Sequence, residues 1–327
     1  MTKKWTFDPF DGYRGNLDWL QKRTIFVTVH GSQAYGTSTP TSDIDVKGLA
    51  VPPSEYFHGF TKNFEQAEGN EPYDMVIYGL RKFLKLASDC NPNIIEVLFT
   101  DPEDWVIEST LFRKLWEHRE LFLSKKARFT FSGYANQQLK RIKGHKRWLL
   151  EPPTHRPTRE EYGLPTDRKM SQSELGATQK LIDEGVPLAE GVMQLFSKEQ
   201  QFQSAKREWD HYQKWKRTRN EKRAKLEAEF GYDTKHAMHL VRLMRMCREI
   251  LGEGKVYVRR PDADELLAIR KGAWTYDELI EWADKQDAEM AALYEASELP
   301  HKPRVNEIDT LCQELVEEAL KHDSLRF

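Results

Sequence analysis

Cysteine is scarce in this sequence. The 327 residues contain three cysteines, Cys90, Cys247 and Cys312, and long stretches of chain separate them. Such spacing excludes a disulfide framework and also the closely spaced ligand set of a structural zinc site. Each cysteine is therefore predicted to be a small buried residue of a core, in a protein that is kept reduced.

Long apolar runs are absent as well. The N-terminal residues, MTKKWTFDPFDGYRGN, include no apolar stretch long enough for a signal peptide. No later stretch is long enough to cross a bilayer. The sequence therefore predicts a cytoplasmic protein without a membrane partner.

Net charge is also low, at a formal value of -2, and a composition of 39% hydrophobic and 31% charged residues is that of a globular protein. The charge is unevenly distributed, because residues 140–148 and 206–225 are strongly basic. Aromatic residues are interleaved with these basic ones: Trp148, Trp209, Tyr212 and Trp215. Basic side chains neutralise backbone phosphates and aromatic rings stack on unpaired bases, so the pattern favours a polynucleotide partner. Solvated helix faces with aromatic core anchors are the alternative interpretation.

Strand patterns are concentrated in the first part of the chain. Alternating or β-branched apolar residues predict strands at 24–29, 43–51 and 73–79, with one late strand at 255–260. Helical spacing follows at 80–87 and again at 91–99, where Asn91 suits the N-cap and Pro92 the first helical position. The predicted fold class is α+β, with a small mixed β-sheet and its helices followed by a mostly α-helical C-terminal region.

Helical patterns dominate from residue 126 onward. The predicted helices cover residues 132–150, 197–229, 233–251, 262–271, 275–296 and 306–322. Thr275 and Asn306 are the expected N-caps of the last two. Proline and charge predict a loop at 151–165.

The stretch that carries chemistry is VTVHGSQAYGTSTPTSDIDVKGLAV, residues 27–51. Side chains alternate along a strand, so Asp43 and Asp45 would project to the same side with their Cα atoms about 6–7 Å apart. Two such carboxylates can share hard divalent cations, and a metal pair about 4 Å apart can clamp both oxygens of a phosphoryl displacement. Gly31 lets backbone N–H groups approach an anion, and the Ser32 hydroxyl adds a donor. The stretch therefore predicts a triphosphate held beside metal ions.

This combination resembles the signature of the DNA polymerase β-like nucleotidyltransferases, in which Gly-Ser is followed by Asp-x-Asp on the next strand. The segment GSQAYGTSTPTSDIDVKG is most similar to the RNA-repair-pathway polymerase β group of bacteria and phages. The similarity continues through residues 73–99 and then through 235–251. The resemblance implies a nucleotidyltransferase catalytic core at 1–125 and, at 126–327, a mostly helical domain that completes the cleft for nucleotide and acceptor. A phage-encoded member would work in the host cytoplasm.

The resemblance also implies site residues. A third carboxylate from a neighbouring strand completes the metal site of this superfamily, and Asp74 stands at the expected place, with Glu71 as the alternative. Gly31, Ser32 and Ser42 would contact the nucleotide. No arginine follows Gly-Ser closely, so the residue that orients the base stays undefined.

One helix of the C-terminal region carries a basic triad. Lys235, His239 and Arg242 recur at i, i+4 and i+7, which places them on one face. The opposite face is apolar: Leu240, Met244, Cys247 and Leu251. The triad is predicted to bind the outer phosphates of a nucleotide or an RNA backbone, and a solvated basic face is the alternative.

These patterns predict a metal-dependent nucleotidyltransferase. It would transfer NMP from an NTP to an acceptor hydroxyl with two Mg²⁺ or Mn²⁺ ions and release pyrophosphate. RNA is the preferred acceptor, in repair or end modification. A small-molecule or protein acceptor, a non-catalytic nucleotide-binding protein, or a toxin–antitoxin component are the alternatives. The sequence leaves the NTP, any partner protein and the oligomeric state open.

Overall fold

The structure is a computed structural model that describes residues 5–69, 71–219 and 221–324. Its sheet has five strands, and their order across the sheet is β3-β4-β2-β1-β5. Strands β1 to β5 run over Thr24–His30, Asp45–Ala50, Gln66–Gly69, Asp74–Gly79 and Trp105–Glu108. β2 and β4 are parallel, whereas the other neighbours are antiparallel, so the predicted mixed sheet is confirmed.

Most of the described chain outside the sheet is helical. Helices α1 to α14 run over Leu20–Arg23, Gly31–Tyr35, Glu55–His58, Leu80–Ser88, Pro92–Leu98, Thr110–Glu117, Ala127–Leu150, Gln172–Asp183, Glu190–Thr218, Glu221–Phe230, Thr234–Glu253, Ala263–Arg270, Tyr276–Ala296 and Val305–Ser324. Short 3₁₀ turns add Pro102–Asp104, Arg119–Phe122 and Glu160–Tyr162. The predicted α+β class with a mostly helical C-terminal region is therefore confirmed.

The two faces of the sheet differ in chemistry. One face packs into a hydrophobic core that includes Val29, Val46 and Met75. These residues are successive partners across β1, β2 and β4. Their neighbours along the strands, His30, Asp45 and Asp74, project to the opposite face, since side chains alternate along a strand. The second face therefore carries a polar row where these strands begin or end.

The strongest local patterns were read correctly. β1 and β4 occupy the predicted strand segments, and α4 and α5 the predicted helical ones. The Asn91 side chain accepts a hydrogen bond from the N–H of Asn93 and so caps α5. Thr275 caps α13 through a reciprocal pair of bonds with Glu278.

Several predicted boundaries were wrong. β2 begins at Asp45, so Asp43 precedes the strand. Residues 255–260 form no strand, and Asn306 lies inside α14 instead of capping it. The single helix expected at 197–229 is two helices, α9 and α10. The short strands β3 and β5 escaped prediction because four residues carry little periodic signal.

The chain divides into two compact units. The first joins the residues up to Arg141 with those from Thr234 onward, and the second runs from Ile142 to Asp233. The helices α11 to α14 thus share a unit with the sheet. The catalytic and helical domains at 1–125 and 126–327 are a functional division and stay a prediction.

The cysteines are unpaired, as expected from their spacing. Cys90 and Cys247 are free and buried, whereas Cys312 is half-buried. Burial raises the pKa of the Cys247 thiol to about 12, which keeps it protonated and unreactive. Within the described residues, no helix combines the length and the apolar character needed to cross a membrane.

Candidate active site

The polar row lies where three neighbouring strands begin or end. His30, the last residue of β1, faces Asp45, the first residue of β2, and Asp45 in turn stands level with Asp74, the first residue of β4. Neighbouring strands are about 4.8 Å apart, so the two carboxylates are side by side on one face. Asp43 is exposed and precedes Asp45 by two residues. The structure therefore brings Asp45 and Asp74 together, as the family resemblance implied.

Gly31 follows the end of β1 and contacts this row directly. Its φ angle is +63°, in the left-handed region that favours glycine. A Cβ atom at this position would overlap Oδ2 of Asp45. The backbone of α2 therefore approaches the Asp45 carboxylate as closely as a residue without a side chain allows.

The pKa of Asp45 reflects burial first and neighbouring charges second. Burial raises the pKa of this carboxyl above its usual value, Lys47 opposes the shift, Asp74 adds to it, Lys235 opposes it and Asp43 adds to it. Lys47 lies two residues along β2 on the same face as Asp45. The sequence analysis missed Lys47, although its alternation with Asp45 was visible.

The two serines of the predicted site have different surroundings. Ser32 lies in the first turn of α2, and its carbonyl accepts a hydrogen bond from Thr37 at 2.9 Å. The Ser42 hydroxyl accepts a hydrogen bond from the N–H of Thr39 at 2.9 Å and contacts the Thr39 hydroxyl at 3.0 Å. Ser42 thus stabilises the turn that precedes Asp43, and nucleotide contact by either serine stays a prediction.

The basic triad of α11 is divided between two environments. Lys235 and His239 are half-buried, and the positive charge of Lys235 lowers the pKa of Asp45. Arg242 is 4% exposed, so the alternative of a solvated basic face is wrong for this residue. The apolar residues of the opposite face are all buried, as expected: Leu240, Met244, Cys247 and Leu251. Nucleotide contact by the triad stays a prediction.

Arg242 contacts a buried carboxylate that the sequence analysis missed. Its guanidinium donates to Oε1 of Glu96 on α5 and lies 3.9 Å from the ring centroid of Tyr35 on α2. The Tyr35 hydroxyl donates to Oε2 of Glu96 at 2.5 Å. An acidic residue inside the apolar run of NPNIIEVLF was the available signal, because a buried acid requires a partner.

A histidine completes this group. His30 Nε2 lies 3.6 Å from Oε2 of Glu96. Burial lowers the pKa of His30 to about 4, while Glu96 opposes the shift and Lys47 and Arg242 add to it. The imidazole is therefore neutral at physiological pH. We call His30, Tyr35, Glu96 and Arg242 the Glu96 cluster.

A cavity lies at the other end of these strands. Its volume is about 360 Å³, and its lining includes Tyr56, Phe57, Gly79 and Arg81. Gly79 ends β4, whereas Asp74 begins it. The cavity is therefore separate from the polar row, and the chemistry of the carboxylates, more than the size of a depression, identifies the candidate site.

The second unit contains the aromatic residues expected to stack on bases. Trp148 and Trp215 pack with ring centroids 5.4 Å apart, and Tyr212 lies 5.9 Å from each of them. Trp209 joins the group through Tyr212 at 6.2 Å. These rings contact one another, so the interpretation as core anchors describes them better than a base-stacking surface.

The same unit holds the one group of three candidate metal ligands found among the described residues: His145, Glu227 and Asp233, with ligand atoms within 4.8 Å of one another. Arg219 pairs with Glu227, and Arg223 lies 3.5 Å from Asp233. Because two arginines balance the two carboxylates, the group is an ion-pair network. By the same criterion, Asp43, Asp45 and Asp74 do not all approach within that distance.

Part of the chain matches a known protein family. Residues 16–151 match the model of the RNA repair pathway DNA polymerase beta family. The predicted resemblance is confirmed. The matched segment includes the strand ends, Gly31, the three aspartates and Glu96, and a polymerase β-like nucleotidyltransferase role is what this family implies. The match covers less than half of the chain.

One curated relative supports the match. An uncharacterized 38.9 kDa protein of Enterobacteria phage T4, from the nrdC–mobD intergenic region, is 31% identical over 128 residues. The aligned segment covers 36% of this chain and 38% of the relative. No solved structure matches the chain significantly.

Proposed function

We propose that this protein is a metal-dependent nucleotidyltransferase that transfers NMP from an NTP to a hydroxyl of RNA. In this reaction the acceptor oxygen bonds to the α-phosphorus, the bond to the bridging oxygen breaks, and pyrophosphate leaves. The observation that carries the proposal is the row formed by Asp45 and Asp74 on parallel neighbouring strands, with Gly31 against Asp45. The family match supports it.

The donor set fits Mg²⁺ or Mn²⁺. Asp43, Asp45 and Asp74 offer only carboxylate oxygens, which are the ligands that hard divalent cations prefer. Burial raises the pKa of Asp45, and the nearby Asp74 and Asp43 add to the shift, so a bound cation would offset a negative charge that is unfavourable there. When bound, two such ions would stabilise the charge on the attacking and leaving oxygens.

The remaining groups divide the other tasks. Asp74 is exposed, so its carboxylate can orient an incoming acceptor hydroxyl and accept its proton. Gly31 and Ser32 would hold phosphate oxygens beside Asp45. Lys47 and Lys235 both lower the pKa of Asp45 through their positive charge. They would also balance the negative charge of the triphosphate. Lys235 belongs to α11, which supports the proposed role of the helical region in completing the cleft.

The case for RNA as acceptor rests on the surface of the second unit and on the family description. Lys143, Lys214, Lys216 and Arg217 are exposed there. Exposed basic side chains bind phosphates without regard to sequence. Because the aromatic rings of this unit pack together, we expect its contribution to RNA binding to come from charge.

Incubation with each labelled NTP, Mg²⁺ and a pool of RNA oligonucleotides tests the proposal. We expect label to enter RNA, with release of pyrophosphate, and we expect none with Asp45→Asn. Label on a small molecule or on protein would contradict the RNA acceptor but keep the transferase. Absence of transfer and of NTP binding would contradict both.

A further inference from the structure

We infer that the Glu96 cluster is a positioning device that holds the Gly31–Tyr35 turn in register with Asp45, so that Tyr35 and Glu96 act on the reaction without touching the reactants. The inference rests on the proposed function only for its kinetic consequences. Its structural content, a turn held by one buried carboxylate, is independent of what the protein catalyses.

One oxygen of Glu96 binds the last residue of α2 and lies near the residue that precedes the helix. Oε2 of Glu96 accepts the hydrogen bond from the Tyr35 hydroxyl, which comes from the last residue of the helix, at 2.5 Å. The same oxygen lies 3.6 Å from Nε2 of His30, the residue immediately before Gly31. The other oxygen, Oε1, accepts the bond from Arg242. A shift of Glu96 would therefore be transmitted to the turn through the Tyr35 hydroxyl.

The helical region fixes the same turn from another direction. Arg242 covers the Tyr35 ring, and the N–H of Arg260 donates to the Tyr35 carbonyl at 3.0 Å. Arg260 is itself held by Glu249, with Nη2 to Oε1 at 2.8 Å. The ring, the hydroxyl and the carbonyl of Tyr35 each have a separate partner, so the orientation of this residue is fully determined.

Stability alone does not account for such a cluster. Glu96 is 0% and Arg242 is 4% exposed. A buried ion pair is often no more stabilising than apolar residues of the same volume, because both charges must leave water. The pair instead fixes the orientation of the Glu96 carboxylate, since the planar guanidinium and the carboxylate constrain one another in angle as well as distance. The polar row tolerates little displacement of the turn, because Gly31 already approaches the Asp45 carboxylate as closely as glycine allows.

The experiment compares Tyr35→Phe and Glu96→Gln with a matched control in the second unit. The control is Glu199→Gln, because Glu199 is also 0% exposed and binds Arg159 through two bonds of 2.9 Å. Four quantities are measured for each full-length variant: kcat, KM for the NTP, unfolding in urea, and amide hydrogen exchange of residues 30–37.

We expect Tyr35→Phe to lower kcat at least about tenfold, with KM for the NTP changed less than about threefold, because the turn is misplaced and not lost. Hydrogen exchange of residues 30–37 should accelerate in both cluster variants. Glu199→Gln should destabilise the protein in urea to a similar degree as Glu96→Gln, yet leave kcat and this exchange unchanged.

Two results would overturn the inference. The first is a kcat for Tyr35→Phe within about twofold of the wild type. The second is an amide exchange rate at residues 30–37 that changes in all three variants only as much as the loss of overall stability in urea accounts for. The proposed function fails separately, if the wild-type protein neither binds NTP nor transfers NMP. In that case the exchange data still decide whether the cluster holds the turn.

Discussion

The backbone of Gly31 lies so close to the carboxylate of Asp45 that a single methyl group at Gly31 would overlap Oδ2. Gly31 begins α2 directly after β1, and Asp45 begins β2. Their proximity joins the proposed phosphate-binding turn to the proposed metal site. It also makes the site unusually sensitive to one small substitution.

Gly31→Ala should therefore reduce transfer much more than its effect on stability explains. The matched control is Gly36→Ala, because Gly36 also has a positive φ, of +76°, while its added Cβ would meet only the Cβ of Ala263, at 3.6 Å. Each variant carries a backbone penalty of about 1–2 kcal/mol, measurable by urea unfolding. Only Gly31→Ala should also displace Asp45. Equal activity in the two variants would contradict the proposed contact.

Asp45→Asn should have opposite effects on stability and on activity. Because burial and the neighbouring Asp74 and Asp43 raise the pKa of Asp45, its charge is unfavourable in the metal-free protein. We expect the variant to unfold at the same or a higher temperature without Mg²⁺. Transfer should fall at least about a hundredfold.

Mg²⁺ provides the complementary measurement for Asp45. A cation that binds only the folded state stabilises it by RT ln(1 + [Mg²⁺]/Kd) and so raises the unfolding temperature. Wild-type protein should gain thermal stability with Mg²⁺, and Asp45→Asn should not. An equal Mg²⁺ response in both proteins would show that Asp45 is not a metal ligand.

His30 should make stability depend on pH. Burial lowers the pKa of His30 from 6.5 to about 4 in the folded protein, so between these values the unfolded chain binds a proton that the folded chain does not. Stability is therefore complete above about pH 6.5 and decreases as the pH falls towards 4, by up to about 3 kcal/mol over the window. Urea unfolding at several pH values measures the slope.

Replacement of His30 tests this assignment. His30→Gln should flatten the pH dependence between pH 6.5 and 4, whatever its effect on stability at pH 7. His155→Gln serves as the control, because the His155 side chain is 66% exposed and its replacement removes no buried ring. An unchanged slope in His30→Gln would assign the dependence to other groups.

Sequence motifs were sufficient for part of the site. The Asp-x-Asp motif singled out Asp45, and the family resemblance singled out Asp74, which the register of β2 with β4 places level with it. The strand pattern also put Asp43 on β2, but Asp43 precedes that strand. Gly31 was expected to bring the backbone close to an anion. The observed neighbour is the Asp45 carboxylate itself, which shows why glycine is needed there.

Long-range pairing explains what the sequence could not reveal. Glu96 and Arg242 are 146 positions apart, and no local periodicity connects them. The apolar run around Glu96 indicates that this acid needs a partner but not which one, and Arg242, with an ordinary helical context, was assigned to a basic face. Their burial becomes visible only when α5, α11 and α2 are brought together by the fold.

The proposed RNA acceptor leads to the last prediction, and the structure determines which residues test it. Arg219 should be left unchanged, because it pairs with the buried Glu227 and its guanidinium lies 4.7 Å from the ring centroid of Trp215. Its replacement would damage the second unit as well as any RNA contact. Lys214, Lys216 and Arg217 are exposed and suit charge reversal.

The triple variant Lys214→Glu, Lys216→Glu and Arg217→Glu should bind RNA more weakly while keeping the unfolding temperature and the affinity for NTP. Each phosphate neutralised on a single strand contributes about -0.7 to the slope of log affinity against log salt. If all three residues contact phosphates, the slope should become shallower by about 2. A salt titration of RNA binding by fluorescence anisotropy measures both slopes. An unchanged slope would mean that this surface does not bind the acceptor, and an activity independent of salt would favour a small-molecule acceptor, because such a substrate releases few counterions.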